Sequence, residues 1–263
     1  MAFVDGHAHI YPEKIAEKAG QSISDFYTIP KTGGGPVNHL LESTANSPIT
    51  HFIVHSVAVK PGNVETINNF IANECKEHPQ LIGFGCMHQD YEDMEAEVNR
   101  MIDLGLKGVK IHPDIQHVNL DDSRLMKLYE IIEGRLPIVI HTGDYRFDFS
   151  HPRRLKEVLK SFPNLVVDAA HFGGWSIPEL GYDLLGNENC YVDTSSSSFI
   201  MGARRMRELI NLFGTERVLF GSDYPLFSSQ DEAEFIQNIG LSDEVFEKVT
   251  WKNAERFTQT KID

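Results

Sequence analysis

Hydrophobic and polar positions alternate along this chain on two scales. Eight short apolar runs, rich in Val, Ile, Leu and Phe and bounded by Pro, Gly or Asn, read as β-strands. The first lies in "FVDGHAHIYP" at Phe3 to Pro12; the rest are "HFIVHSVAV", "LIGFGCMH", "LKGVKIHP", "LPIVIHTG", "LVVDAAHFGG", "CYVDTSSS" and "VLFGSDYP". Between them "VETINNFIANECKEH", "DMEAEVNRMIDLG", "SRLMKLYEIIEG", "PRRLKEVLKSF" and "ARRMRELINLFG" carry helical periodicity. Leu125, Leu128, Ile131 and Ile132, for example, fall on one helical stripe. Near-continuous apolar strands alternating with helices imply a parallel sheet covered by helices.

The anchors Phe52, Leu81, Leu106, Pro137, Leu165, Cys190 and Val218 lie roughly 25 to 31 residues apart, the size of one βα unit. Eight such units in 263 residues predict an α/β fold, a single (β/α)8 TIM barrel occupying residues 1–263 as one domain. The first interval is the irregular one. Ala19 to Ser47 carry "TGGGP" and outrun a single helix, so an inserted loop after strand one is expected over the barrel mouth, with some distortion of the barrel. A doubly wound open sheet is the competing fold. It would show a Gly-rich phosphate turn after its first strand, and "GHAHIYPEK" is not one.

Active sites of such barrels gather at the C-terminal ends of the strands, and there the polar residues of this chain concentrate. His7 and His9 end strand one, His55 lies in strand two and His88 ends strand three. Lys110 and His112 end strand four, His141 strand five, His171 strand six and Asp223 strand eight. Seven of the twelve histidines thereby face one mouth. His7 and His9 share a face by the i, i+2 rule. Rings so placed repel when charged, or stay neutral and hold something between them, a metal ion foremost; the plain alternative is a pair of satisfied surface histidines. Asp223 would be an expensive lone carboxylate in an apolar mouth unless paired or metal-bound. His55 and His88 read as packing or supporting residues, and His39, His51, His78, His117 and His151 as surface residues. Lys110 reads as a substrate contact or an ion-pair partner, with carboxylation to bridge two metals as the alternative. His112 shares its face. Arg146 either presents a planar fork to a substrate carboxylate or caps a loop.

Composition narrows the classes. The chain is 41% hydrophobic and 24% charged, with no apolar run approaching a membrane span and no basic-then-apolar leader at its start. A cytoplasmic protein without membrane attachment is expected. Cys75, Cys86 and Cys190 are scattered, which speaks for a reducing compartment and against a disulfide framework or a CxxC zinc knuckle. A net charge of −14 is adverse to nucleic-acid backbones, and Arg204, Arg205 and Arg207 read as a solvated helix face. The expected partner is a small-molecule substrate.

His7, His9, His141 and Asp223, three neutral imidazoles and one carboxylate, suit one divalent ion, zinc foremost, with an open position for water. His171 could take or return a proton, Asp223 could ligate the ion and orient that water, and Lys110, His112 or Arg146 could hold an anionic substituent. Such a site is competent for metal-assisted hydrolysis of an amide, ester or lactone. With a carboxylate substrate it could also stabilise the carbanion left by lost carbon dioxide.

Taken in order, "DGHAHI", "KIHP", "IHTG", "AHFGG" and "FGSDYP" resemble the amidohydrolase superfamily, most closely the amidohydrolase-related branch that includes aminocarboxymuconate-semialdehyde decarboxylase. The likeness spans nearly the whole chain, and the ordered set is specific where each motif alone is weak. It implies metal binding by the residues matching His7, His9, His141 and Asp223, and an acid/base role for the one matching His171. Dimers are common among members, so a homodimer is allowed. The branch holds hydrolases, lactonases, a hydratase and non-oxidative decarboxylases, so the substrate does not carry over. A TatD-like nuclease would place a glutamate at the end of strand four and a threonine-aspartate pair on strand eight; "KIHP" and "GSDYP" stand there instead. Hydrolysis is the expected reaction, decarboxylation the alternative, and a non-catalytic binding barrel the third reading.

Overall fold

Each apolar run becomes a strand because its two faces are both buried, one against helices and one inside a closed sheet. In a computed structural model describing residues 2–262, the strands are β1 (Val4–His9), β2 (His51–His55), β3 (Leu81–Cys86), β4 (Gly108–Ile111), β5 (Ile138–Ile140), β6 (Val167–Ala169), β7 (Tyr191–Asp193) and β8 (Val218–Leu219). They pair in parallel in sequence order. The circle closes where the Gly6 amide donates to the Phe220 carbonyl (2.8 Å), Asp223 to His7 (2.8 Å) and His9 to Tyr224 (2.7 Å). Glycine is required at this seam. A Cβ on Gly6 would lie 2.7 Å from the Phe220 carbonyl oxygen, and one on Gly221 would lie 2.9 Å from the His7 Cβ.

The helices are α1 (Glu13–Tyr27), α2 (Val37–Ser43), α3 (Val64–Glu77), α4 (Met94–Asp103), α5 (Pro113–Gln116), α6 (Ser123–Ile132), α7 (Pro152–Ser161), α8 (Pro178–Leu185), α9 (Ala203–Phe213), α10 (Ser229–Asn238), α11 (Asp243–Glu247) and α12 (Asn253–Thr258). Their starts follow local chemistry. Asp93 accepts from the Ala96 amide, Asp122 from Arg124 and Ser228 from Asp231, while Pro opens α7 and α8. The expected loop over the barrel mouth is in part a helix. α1 buries Ala16, Gly20, Ser24 and Tyr27, an almost regular stripe of mostly small or polar residues that a hydrophobic pattern does not reveal. Among the described residues no helix is long and apolar enough to cross a membrane.

Two cores result. The larger lies between barrel and helices, with Leu125, Leu128 and Ile132 of α6 fully within it. The smaller fills the lower barrel with Val4, Ile53, Phe84, Val139 and Leu219, and Phe257 of α12 plugs it, its ring 5.7 Å from Phe84. Two residues further along, the inward position turns polar: Ile53 is followed by His55 and Val139 by His141. The apolar floor and the polar mouth are thus two layers of one interior.

Glu232 of α10 is buried with the Ser198 hydroxyl on its carboxylate (2.5 Å), and burial pushes its pKa from 4.5 up to about 7. The unfolded chain releases that proton near 4.5, so the stability it contributes is present below 4.5 and lost as pH rises through about 7. Relative to wild type, Glu232→Gln should gain about 2–3 kcal/mol in unfolding free energy between pH 5 and 8. Urea titrations across that range check it, and parallel profiles for the two proteins would contradict it.

Candidate active site

The C-terminal ends of β1, β4, β5, β6 and β8 bring His7, His9, Lys110, His112, His141, His171 and Asp223 round one cavity of about 20 Å³, roofed by Ile23 and Tyr27 of α1 and by Leu226. That volume holds about one water-sized group. The register of β1 against β2 shifts between Asp5 and Ala8, an irregularity of the kind that gathers beside functional sites. The rings of His7 and His9 lie 5.4 Å apart, side by side as the i, i+2 spacing predicts.

Asp193 at the end of β7 organises the floor of the site. Its Oδ2 lies 2.6 Å from His7 Nδ1, and its Oδ1 accepts from the His171 amide (2.9 Å), the Ser195 amide (3.0 Å) and the Ser195 hydroxyl (2.5 Å). His7 therefore carries its proton on Nδ1 and presents the Nε2 lone pair to the cavity. Asp223 Oδ1 lies 3.6 Å from His7 Nε2 and 3.5 Å from His9 Nε2, while the Ser196 hydroxyl donates to Asp223 Oδ2. Burial, and then the charge of Lys110, hold both histidines well below their usual 6.5, so both are neutral donors.

His141 and His171 form the opposite wall, with His141 Nδ1 3.1 Å from His171 Nε2. His141 Nε2 lies 3.3 Å from Asp114 Oδ2, and Ser150 donates to that carboxylate through its amide (3.1 Å) and hydroxyl (2.6 Å). Burial pushes Asp114 up to about 6. His171 Nδ1 meets the Ser195 hydroxyl (2.8 Å) and carbonyl (3.1 Å). His171 and Asp223 both hold left-handed backbone, at φ 61 and 68, a strain that surrounding structure must over-determine. The His112 ring stacks on His141 at 3.9 Å, and its Nε2 lies 2.7 Å from the Tyr27 hydroxyl.

Lys110 is 1% exposed, with Nζ 3.0 Å from His7 Nε2. Burial brings its pKa down to about 8, opposed by Asp223, Asp193 and Asp168. Arg146 is not brought to the cavity. Its guanidinium meets both oxygens of Asp144, donates to the Phe26 carbonyl and lies over the Phe26 ring at 4.8 Å, so it braces the end of α1. His88 also stands apart, its Nδ1 accepting from the Asp90 amide.

The donor set fits a divalent cation. It is rich in neutral imidazole with one carboxylate, and it contains buried ring nitrogens that no described residue satisfies. These are Nδ1 of His9 and both nitrogens of His55, whose ring packs edge-on against His7 (4.7 Å) and His9 (4.4 Å). Nitrogens of His7, His9 and His55 lie within 4.8 Å of one another, as do donor atoms of His112, Asp114 and His141.

The sequence profile of the amidohydrolases matches residues 4–257. The chain belongs to the amidohydrolase family. This amidohydrolase shares its fold with an uncharacterised TIM-barrel protein from Bordetella bronchiseptica at 19% identity and TM-score 0.80, over 98% of this chain and 99% of that one. A dihydroxybenzoic acid decarboxylase from Polaromonas sp. JS666, solved with manganese and 2-nitroresorcinol, matches at 15% identity and TM-score 0.77, over 98% and 97%. 5-Carboxyvanillate decarboxylase from Sphingomonas paucimobilis matches at 14% identity and TM-score 0.77, over 99% of both chains. At these identities the likeness is one of fold.

Two residues that touch the candidate site, Asp193 and Tyr27, escaped the sequence reading. Asp193 carried a signal, since an acid at the end of the buried run "CYVD" faces the desolvation cost already weighed for Asp223. His55, read along the sequence as a packing or supporting residue, does pack on His7 and His9, and its two ring nitrogens have no partner among the described residues. Tyr27 had no local signal, because it reaches His112 across 85 residues.

Proposed function

We propose that this amidohydrolase is a metal-dependent hydrolase of a small, carboxylate-bearing amide, ester or lactone, with His7, His9, His141 and Asp223 holding one divalent ion. Zinc best matches these donors. The reading is supported above all by the convergence of His7 Nε2 and His9 Nε2 on Asp223 Oδ1, at 3.6 and 3.5 Å, in a buried cavity. When bound, the ion supplies Lewis acidity, polarising the scissile carbonyl and acidifying water. His171 takes or returns a proton at Nε2, while Ser195 holds its Nδ1. Asp223 orients the attacking water, and the closure by Tyr27 and Leu226 excludes bulk solvent. Lys110 and His112 hold the substrate carboxylate.

Decarboxylation on the same residues is the second reading, favoured by the aromatic-acid decarboxylases that share the fold. There the carbon–carbon bond to the carboxylate breaks, carbon dioxide leaves, and the electron pair left on carbon takes a proton from His171 or Asp223. A third possibility concerns Lys110. Its Nζ sits 3.0 Å from His7 Nε2, where a carboxylated lysine would join a two-metal site.

Dialysis against a chelator should abolish turnover, and zinc or manganese should restore it. A panel of lactones, N-acyl compounds and aromatic carboxylates in isotopically labelled water separates the reactions. Hydrolysis places a water oxygen in the product; carbon dioxide release without it would replace the first reading with the second. Metal analysis should give one ion per chain. Two ions, with the mass of carbon dioxide added on Lys110, would replace the one-metal site. Full activity in metal-free protein would end both readings.

A further inference from the structure

We propose that an apolar cavity beside α1 receives the nonpolar body of the substrate, an aryl or branched alkyl group, while its carboxyl or acyl end lies at the His7–Asp223 site. This rests on the metal-site reading above. The cavity about the histidines, near 20 Å³, admits little more than one reacting group. A second cavity of about 410 Å³, a size usual for small-molecule pockets, opens on the other side of α1. Ile15, Ile23, Val59, Ile67, Phe70 and Ile115 give it apolar walls.

Three features set the two spaces side by side. Ile23 borders both. Tyr11 lines the large cavity and stacks on His9, centroids 6.5 Å apart. Ile115 lines it too, and its amide donates to His112 Nδ1 at 3.4 Å. Ile15 and Val59 stand 51% and 54% exposed, although large apolar side chains gain by burial. Both border the cavity. Among the described residues Lys18 is its one charged lining residue, and the Ser56 hydroxyl in its wall is already spent on the Ile10 carbonyl. A neutral apolar body, not a sugar or a phosphate, matches these walls, and covering Ile15 and Val59 rewards its entry.

The test is isothermal titration of metal-loaded protein with benzoate and its 4-methyl, 4-ethyl and 4-butyl derivatives, repeated after chelation. In wild type each added methylene should tighten binding by up to about fourfold, and chelation should weaken every member together. Ile67→Trp, which fills the cavity, should flatten the series. Thr66→Phe, substituted from an exposed position of α3 that also lines the cavity, should do the same should Ile67→Trp fail to fold. A flat series in wild type, with benzoate still responsive to chelation, overturns the cavity assignment and leaves the metal site standing. A graded series indifferent to chelation overturns the joining of the two spaces, while metal content and loss of turnover on chelation decide the metal-site reading separately. Gradation that survives in both variants, or no binding at all, overturns the proposal. So does a dimer in sedimentation that Val59→Lys dissociates, since a second copy of the chain would then cover the mouth.

Discussion

Asp193→Asn will weaken divalent-metal affinity by about 10- to 100-fold, although residue 193 is not among the proposed ligands. The reason is the tautomer of His7. Asp193 Oδ2 accepts the hydrogen bond from His7 Nδ1–H at 2.6 Å, which leaves Nε2 as the lone pair facing Asp223 and His9. An asparagine can keep its one oxygen on the amides of His171 and Ser195, where Asp193 Oδ1 now accepts them. It then turns an NH2 toward His7. Nδ1 must become the acceptor, the proton moves to Nε2, and the ring offers the cavity an N–H in place of a lone pair. Titration with zinc and manganese measures the loss. The fold should survive at a cost of about 1–3 kcal/mol, typical of a buried hydrogen bond left unmade. Wild-type metal affinity in this variant would show that His7 does not ligate through Nε2, and would remove the site as proposed.

His171→Asn will keep its metal and lose turnover, with kcat falling about 10²- to 10⁴-fold. Asparagine is chosen for the backbone. Residue 171 sits at φ 61, a region where asparagine is among the few side chains at ease, so the variant does not add strain. It also retains a polar group near Ser195 while losing a nitrogen able to carry a proton. Metal content by mass spectrometry and steady-state rates on the first substrate found separate the two roles. Loss of metal along with rate would make His171 a ligand, and an unchanged rate would end its part in proton transfer.

Much of this was legible along the chain because a barrel strand has only two faces. The step from Ile53 to His55, or from Val139 to His141, keeps to the inner face by the two-residue repeat, so a polar residue after an apolar one marks the height at which the interior turns from core to mouth. The same repeat set His7 and His9 together. What stayed open along the sequence were choices that needed a partner to decide them. Of the two readings of Arg146, the structure has the loop brace: the guanidinium is held by Asp144 two residues earlier and by the Phe26 carbonyl. The segment after β1 looked like a loop because α1 buries alanine, glycine and serine, whose small apolar area leaves no periodic signal.

The order of the strands, the height of the polar layer and the residue types at the mouth follow from the sequence alone. Local spacing and the cost of burying charge act wherever a residue's neighbours in the chain are known. Which nitrogen of His7 faces the cavity, how tightly Tyr27 and Ile23 roof it, and that a separate apolar space lies across α1 were decided only by tertiary structure. Each of these depends on atoms brought within a few ångströms from distant parts of the chain, and the direction of a hydrogen bond is a property of the pair.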